Sequence, residues 1–183
     1  MANPLASSSN SSGNKAPYQV FINHRGPDTK LSIAAHLYNR LHDVHGLQVF
    51  LDKEEMEKGD FFTSQIAAAI RDASVHIAIF SPRYAESEWC LNELLLMLES
   101  MQSGRSTIIP IFWGVNPADL RWTLGKDGVY AKALAELEQK KTTDSQTHQK
   151  KPRYDPDIIE KWRNALSNVS NIDGFDLEGA YNG

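Results

Sequence analysis

The sequence predicts a doubly wound α/β domain, a mostly parallel sheet covered by helices on both faces. Short apolar runs alternate along the chain with amphipathic stretches of about 10–15 residues, the pattern of βαβ units. The apolar runs are near-continuous, as in "VHIAIF" (75–80), which suits strands buried on both faces. Parallel neighbours need crossover connections, and the intervening helices supply them.

The first strand is "YQVFI" (18–22). Residues 31–43, "LSIAAHLYNRLHD", put Leu31, Ala34, Leu37, Tyr38 and Leu41 on one helical face, and Gly46 stops that helix. "LQVFL" (47–51) is the second strand, and a charged loop, "DKEEMEKGDF" (52–61), follows it. Residues 62–73 form a helix on Ile66, Ala69, Ile70 and Ala73, leading into the third strand (75–80). Residues 86–100, "ESEWCLNELLLMLES", are helical. Leu91, Leu94, Leu95 and Leu98 form its buried stripe, and Trp89, Glu93 and Leu96 form a second. The fourth strand is "TIIPIF" (107–112), where Pro110, lacking an N–H, requires an edge or a bulge. Residues 114–141 read as loop and then helix, and residues 140–156 as a polar, proline-containing loop. Residues 157–169 form a last amphipathic helix on Ile158, Ile159, Trp162, Leu166 and Val169. The expected organisation is a disordered leader (1–16), one domain (17–170) and a C-terminal tail (171–183).

The 183 residues suffice for one domain with a proper core, and a net charge of −4 lacks the basic footprint of nucleic-acid binding. One cysteine, Cys90, excludes an intramolecular disulfide and fits a reducing compartment. The expected location is therefore cytoplasmic, with the nucleus also allowed. Cys90 reads as a small buried residue rather than a nucleophile. No apolar run approaches the ~20 residues of a membrane span, so no membrane partner is expected. His24, His36, His42, His45, His76 and His148 show no metal-ligand spacing, and no metal is expected.

Ligands of open parallel sheets bind beyond the carboxyl ends of the strands, here residues 23–30, 52–61, 81–87 and 113–120. G-x-G-x-x-G and the P-loop pattern are absent. Phe80-Ser81 stands where a phosphoacceptor receiver would carry its aspartate, and "NHRGPDTK" is not the hydroxyl-rich phosphate loop of a flavin domain.

Four segments, "YQVFINHRGPDTK", "FLDKEEMEKGD", "IAIFSPRYAESEWCLNEL" and "IIPIFWGVNPADLR", resemble in order and spacing the motifs of plant Toll/interleukin-1 receptor (TIR) domains. No switch domain or leucine-rich repeats follow them, so a TIR-only protein or a domain cut out of a longer one is expected. The resemblance implies a flavodoxin-like, mostly parallel five-stranded sheet. It also implies an enzyme that cleaves the nicotinamide–ribose bond of NAD+ or NADP+. Its products would be ADP-ribose and cyclic ADP-ribose isomers, signals in plant innate immunity. The dinucleotide is then a substrate, and no cofactor is expected.

The family's catalytic glutamate, in its W-C-L-x-E-L element, corresponds to Glu93. Departure of nicotinamide leaves an oxocarbenium-like ribose, whose charge a nearby carboxylate stabilises. Glu93 has a plainer alternative as a solvated helix residue, and its removal is expected to cost little stability. Trp89 offers a flat surface to the nucleotide, or belongs to the core. Ser87 caps the helix, contacts the ligand, or does both. Arg25 matches an arginine that helps hold the nucleotide, and Gly26 permits a tight turn beside it. Lys30 replaces a second family arginine, keeping the charge but losing the bidentate fork. His24 stands for the usual phenylalanine and Pro27 for the usual acid; His24 reads as structural. The loop carrying Glu57 and Gly59 corresponds to the family's BB loop, with Gly59 as a hinge. A Ser-His pair at a family interface reads Ala35-His36 here. These features imply a homo-oligomer built through TIR–TIR contacts. The competing readings are a non-catalytic TIR–TIR adaptor in defence signalling and, more weakly, nucleic-acid processing.

Overall fold

The computed structural model describes residues 18–51, 64–123 and 128–177. The first four strands are β1 (Val20–His24), β2 (Val49–Leu51), β3 (Val75–Phe80) and β4 (Thr107–Phe112). The first four helices are α1 (Gly26–Thr29), α2 (Ile33–Asn39), α3 (Ser64–Asp72) and α4 (Glu88–Gln102). Then come α5 (Pro117–Arg121), α6 (Val129–Gln139), an antiparallel hairpin of β5 (Lys141–Thr143) and β6 (Lys150–Pro152), α7 (Pro156–Val169) and β7 (Phe175–Asp176). The main sheet runs β2-β1-β3-β4-β7, parallel at every pairing. This is the flavodoxin-like order, with its switch point between β1 and β3.

Side chains alternate across the strands and divide the core in two. Phe21, Ala78, Phe80, Ile108 and Phe112 pack against α3, α4, α6 and α7. Val20, Ile22, Ile77, Ile79 and Ile111 pack on the other face with Ala34 of α2. Helices therefore lie on both faces, as the near-continuous strands require. Gly46, at φ +68°, takes the left-handed conformation expected of a residue that stops a helix. Among the described residues, no helix is long and apolar enough to cross a membrane.

Three local expectations change. Leu31 is 97% exposed rather than part of a buried stripe, because it precedes Ser32, the N-cap of α2. The polar stretch after α6 is not only loop. Asp144 organises the β5–β6 turn by accepting from the N–H groups of Gln146 and Thr147 and pairing with Lys151 at 2.7 Å. Those bonds, the Lys151 contact foremost, hold the Asp144 carboxyl down to about 2. Residues 175 and 176, expected in a C-terminal tail, instead form the fifth strand against Ile111 and Phe112.

Pro110 explains why that fifth strand pairs so briefly. Thr107 N–H donates to Ser74 O on the β3 side, and Phe112 O accepts from Leu177 N–H on the β7 side. In a parallel strand alternate residues face alternate neighbours, so Pro110 faces the β7 side. It lies one residue short of the point where pairing with β7 begins. Its missing N–H falls where β4 is locally an edge.

Gly174 makes the closest approach there. A Cβ on Gly174 would press into the Pro110 carbonyl oxygen and lie 2.8 Å from Pro110 Cγ. Gly174→Ala is expected to lift β7 from β4 at a cost of about 1–3 kcal/mol. Thermal unfolding should show Tm lowered by several degrees; an unchanged Tm would mean the strand contributes nothing.

Candidate functional site

Asn23 and His24 end β1, and Ser81 follows β3, so these residues border the crevice at the switch point. The helix α4 approaches from one face of the sheet. Its N-cap is Ser87, whose Oγ accepts from Cys90 N–H at 3.3 Å. The capping role expected of Ser87 is thus filled.

Glu93, one turn and a half into α4, is only 5% exposed. Its Oε2 accepts a hydrogen bond from Asn23 Nδ2 at 2.7 Å. Asn23 Nδ2 also lies 3.3 Å from Cys90 O, and Tyr84 donates its hydroxyl to Asn23 Oδ1. Tyr84 Oη is also 3.0 Å from Cys90 O. The Cys90 thiol donates to His24 O at 3.4 Å, and Cys90 is buried as its sequence context implies. Burial foremost, with the nearby Glu93 carboxylate adding to it, raises the Tyr84 hydroxyl well above its ordinary value, so it stays a neutral donor. These bonds sew the end of β1 to the first two turns of α4. They also correct the expectation that Glu93 is dispensable for stability. Truncating Glu93 to alanine removes the short-range acceptor of a buried amide, a loss of about 1–3 kcal/mol.

Trp89 is half-buried, one turn before Glu93 on the same side of α4. Glu88 precedes it and is clasped from outside. Arg153 reaches Glu88 Oε1 at 2.9 Å, Tyr154 donates its hydroxyl to Glu88 Oε2, and the Tyr154 ring meets Trp162 edge-on. Trp162 Nε1 in turn donates to Asn92 Oδ1 at 3.0 Å.

The loop after β1 is organised by charge. Arg25 pairs with Asp28 at 2.8 Å and Glu86 at 3.2 Å, its side chain 13% exposed. Asp28 also accepts from Ser81 Oγ at 2.6 Å, and Ser81 O accepts from the Tyr130 hydroxyl at 2.7 Å. An incoming phosphate would therefore compete with two carboxylates for the Arg25 fork. Gly26 opens α1 without a positive φ, so a left-handed turn is not what places it. Gly26, Asp28, exposed Lys30 and Leu31 line an open groove of about 320 Å³. Glu93, Trp89 and Ser87 are not in its lining.

Thr29 donates to Arg25 O at 3.0 Å, which uses its only proton. His24 Nδ1, 2.9 Å from Thr29 Oγ1, must then be the donor, and His24 is 8% exposed. The ring serves as a brace for the loop. His36 is exposed on α2. Glu57 and Gly59 lie outside the described residues. No cluster of three or more metal-ligating side chains occurs among the described residues.

Asn23, Asp28, Ser81 and Tyr84 escaped the sequence reading. Only Asn23 left a trace, a carboxamide ending an otherwise apolar strand; the others gain meaning from partners 53 or more residues away.

The comparisons with known proteins converge on one family. A family model described as TIR domain matches residues 17–182. Over 108 residues the chain is 49% identical to a Brachypodium distachyon protein described as a probable 2' cyclic ADP-D-ribose synthase, BdTIR. That match covers 59% of this chain and 46% of the relative. Over 170 residues it is 35% identical to the TMV resistance protein N of Nicotiana glutinosa, covering 93% of this chain and 13% of that protein. The chain thus spans less than half the length of these curated relatives. Among solved structures it is similar to the TIR domains of the activated Roq1 resistosome, with a TM-score of 0.72, 33% identity and 91% of each chain covered.

The Arg25 contacts generate a prediction. Arg25→Ala would leave Asp28 only Ser81 and Glu86 only Arg83 among these partners, so it is expected to lower stability by about 1–2 kcal/mol, whatever its effect on a ligand. Denaturant unfolding measures this; wild-type stability would show that the ion pairs do not hold the loop.

Proposed function

This chain belongs to the TIR domain family, and from that premise we propose that it is an NAD(P)+ nucleosidase and cyclase. It cleaves the bond between nicotinamide and ribose and yields ADP-ribose and cyclic ADP-ribose isomers. The observation that supports this most directly is the Glu93 carboxylate, held in place near the carboxyl ends of β1 and β3. The relative from Brachypodium distachyon, described as a probable cyclase, supports the same chemistry.

The breaking bond gives its electron pair to the pyridinium nitrogen, so nicotinamide leaves neutral and positive charge develops on the ribose. Glu93 stabilises that charge and accepts a hydrogen bond from a ribose hydroxyl. Water closes the reaction as a hydrolase, with release of a proton; a hydroxyl of the same molecule closes it as a cyclase. Trp89 supplies a flat surface for the nucleotide, Ser87 a polar contact at the helix mouth, and Arg25, Gly26 and Lys30 the border that meets pyrophosphate. No further cofactor takes part. The products act as signals in plant defence, in the cytoplasm and the nucleus. A second copy of the chain, bound through TIR–TIR contacts at His36 and the loop with Glu57 and Gly59, completes the working site.

Glu93→Gln keeps the acceptor for Asn23 and removes the charge. It is expected to lower nicotinamide release roughly 100-fold or more while the protein stays folded. Mass spectrometry of products from NAD+ and NADP+ decides; undiminished turnover would remove Glu93 from the chemistry. Loss of activity on dilution is expected as well, with specific activity rising with protein concentration and His36→Ala shifting that rise to higher concentration. A flat specific activity in a protein that sedimentation shows to be monomeric throughout would defeat the assembly requirement.

A further inference from the structure

We infer that Asn23 is the positioning residue for Glu93, holding its carboxylate with a neutral donor whose own orientation is set by Tyr84. This rests on Glu93 being the carboxylate that faces the reacting ribose. Asn23 is fully buried, with its backbone in register with Ala78 of β3, so the pairing with β3 fixes its Cα. The amide has one sensible orientation. Nδ2 faces two acceptors, Glu93 Oε2 at 2.7 Å and the Cys90 carbonyl oxygen at 3.3 Å, while Oδ1 faces a hydroxyl. Turning the amide over would set oxygen against oxygen at both places. The donors therefore run one way, Tyr84 to Asn23 to Glu93, and each bond strengthens the next.

The chemistry of the amide matters as much as its place. A carboxamide does not titrate, so it fixes Oε2 without supplying it a proton and without cancelling its charge. A lysine or arginine here would neutralise the group that is to meet a cationic ribose. The bond also crosses from sheet to helix. It sets the height of the carboxylate above the strand ends, a distance that α4 alone cannot fix.

Three variants test the inference, with kcat and KM for NAD+ measured across pH. Asn23→Ala is expected to lower kcat about 10- to 100-fold with KM changed less than about threefold, because the displaced group acts in the transition state. Asn23→Asp places two carboxyl groups within hydrogen-bonding distance, and such a pair retains one proton to a raised pH. That proton replaces the amide donor. Turnover of Asn23→Asp should therefore fall as pH rises through about 6–9, a limb absent from the wild type; a purely structural role would lower Tm and leave the profile's shape alone. Tyr84→Phe keeps the ring and removes the hydroxyl, and should lower kcat about 3- to 10-fold. Folded Asn23 variants with wild-type kcat and pH profile would overturn the inference. Should neither fold, Tyr84→Phe decides it, and unchanged kcat there is the overturning result. Glu93→Gln in the same assay separates the two levels. If it is inactive while the Asn23 and Tyr84 variants match wild type, only the positioning role falls; if it is active, the role of Glu93 falls first.

Discussion

A carboxylate that is 5% exposed must have hydrogen-bond partners, and that requirement organises one end of this fold. The Asn23 amide meets it for Glu93. To do so, the first strand must end in a polar residue, and α4 must lie with Cys90 and Glu93 turned toward that end. Tyr84, in the turn between β3 and α4, must reach back over the same amide. Two stretches far apart in the chain, the end of β1 and the segment from Tyr84 to Glu93, thus share one small polar cluster inside an otherwise apolar layer.

Around that cluster, charged groups brace rather than fill the crevice. Arg25 ties α1 to Glu86 in the turn before α4, while Asp28 anchors to Ser81 at the end of β3. On the outer side, Arg153 and Tyr154 grip Glu88 in the first turn of α4, and Trp162 grips Asn92 one turn later. Glu88 also sits where the helix dipole favours an acid. The N-terminal half of α4 is thus fixed from the sheet, from the loop after β1 and from the segment leading into α7. A group held from several sides loses less freedom when it meets a transition state, which is the condition for electrostatic catalysis.

The sheet answers to a different constraint. Every backbone group inside it needs a partner, and proline offers no donor. The chain places Pro110 where β4 has no neighbour yet on the β7 side, lets β7 pair only past it, and uses Gly174 to bring the backbone close.

The sequence by itself determined the doubly wound class, the first four strands and the principal helices, because continuous apolar runs and a 3.6-residue period are local properties that survive without partners. It also determined the family, through four ordered segments, and it singled out Glu93 as an acid on a largely apolar helix. Tertiary structure decided the rest. Leu31 left its helix because the chain turns through α1 first. The two residues of β7 carry no periodic signal and became a strand only against Ile111 and Phe112. The basic, polar stretch after α6 became a hairpin through Asp144, whose turn bonds no hydrophobic pattern announces. Arg25 was legible as a cation near the ligand end, but not as one already shared by two carboxylates. Asn23, Tyr84 and Ser81 were not legible as a site at all. Their hydrogen bonds join residues 53 to 70 positions apart, and only the folded chain brings a donor on one strand to an acceptor on a distant helix.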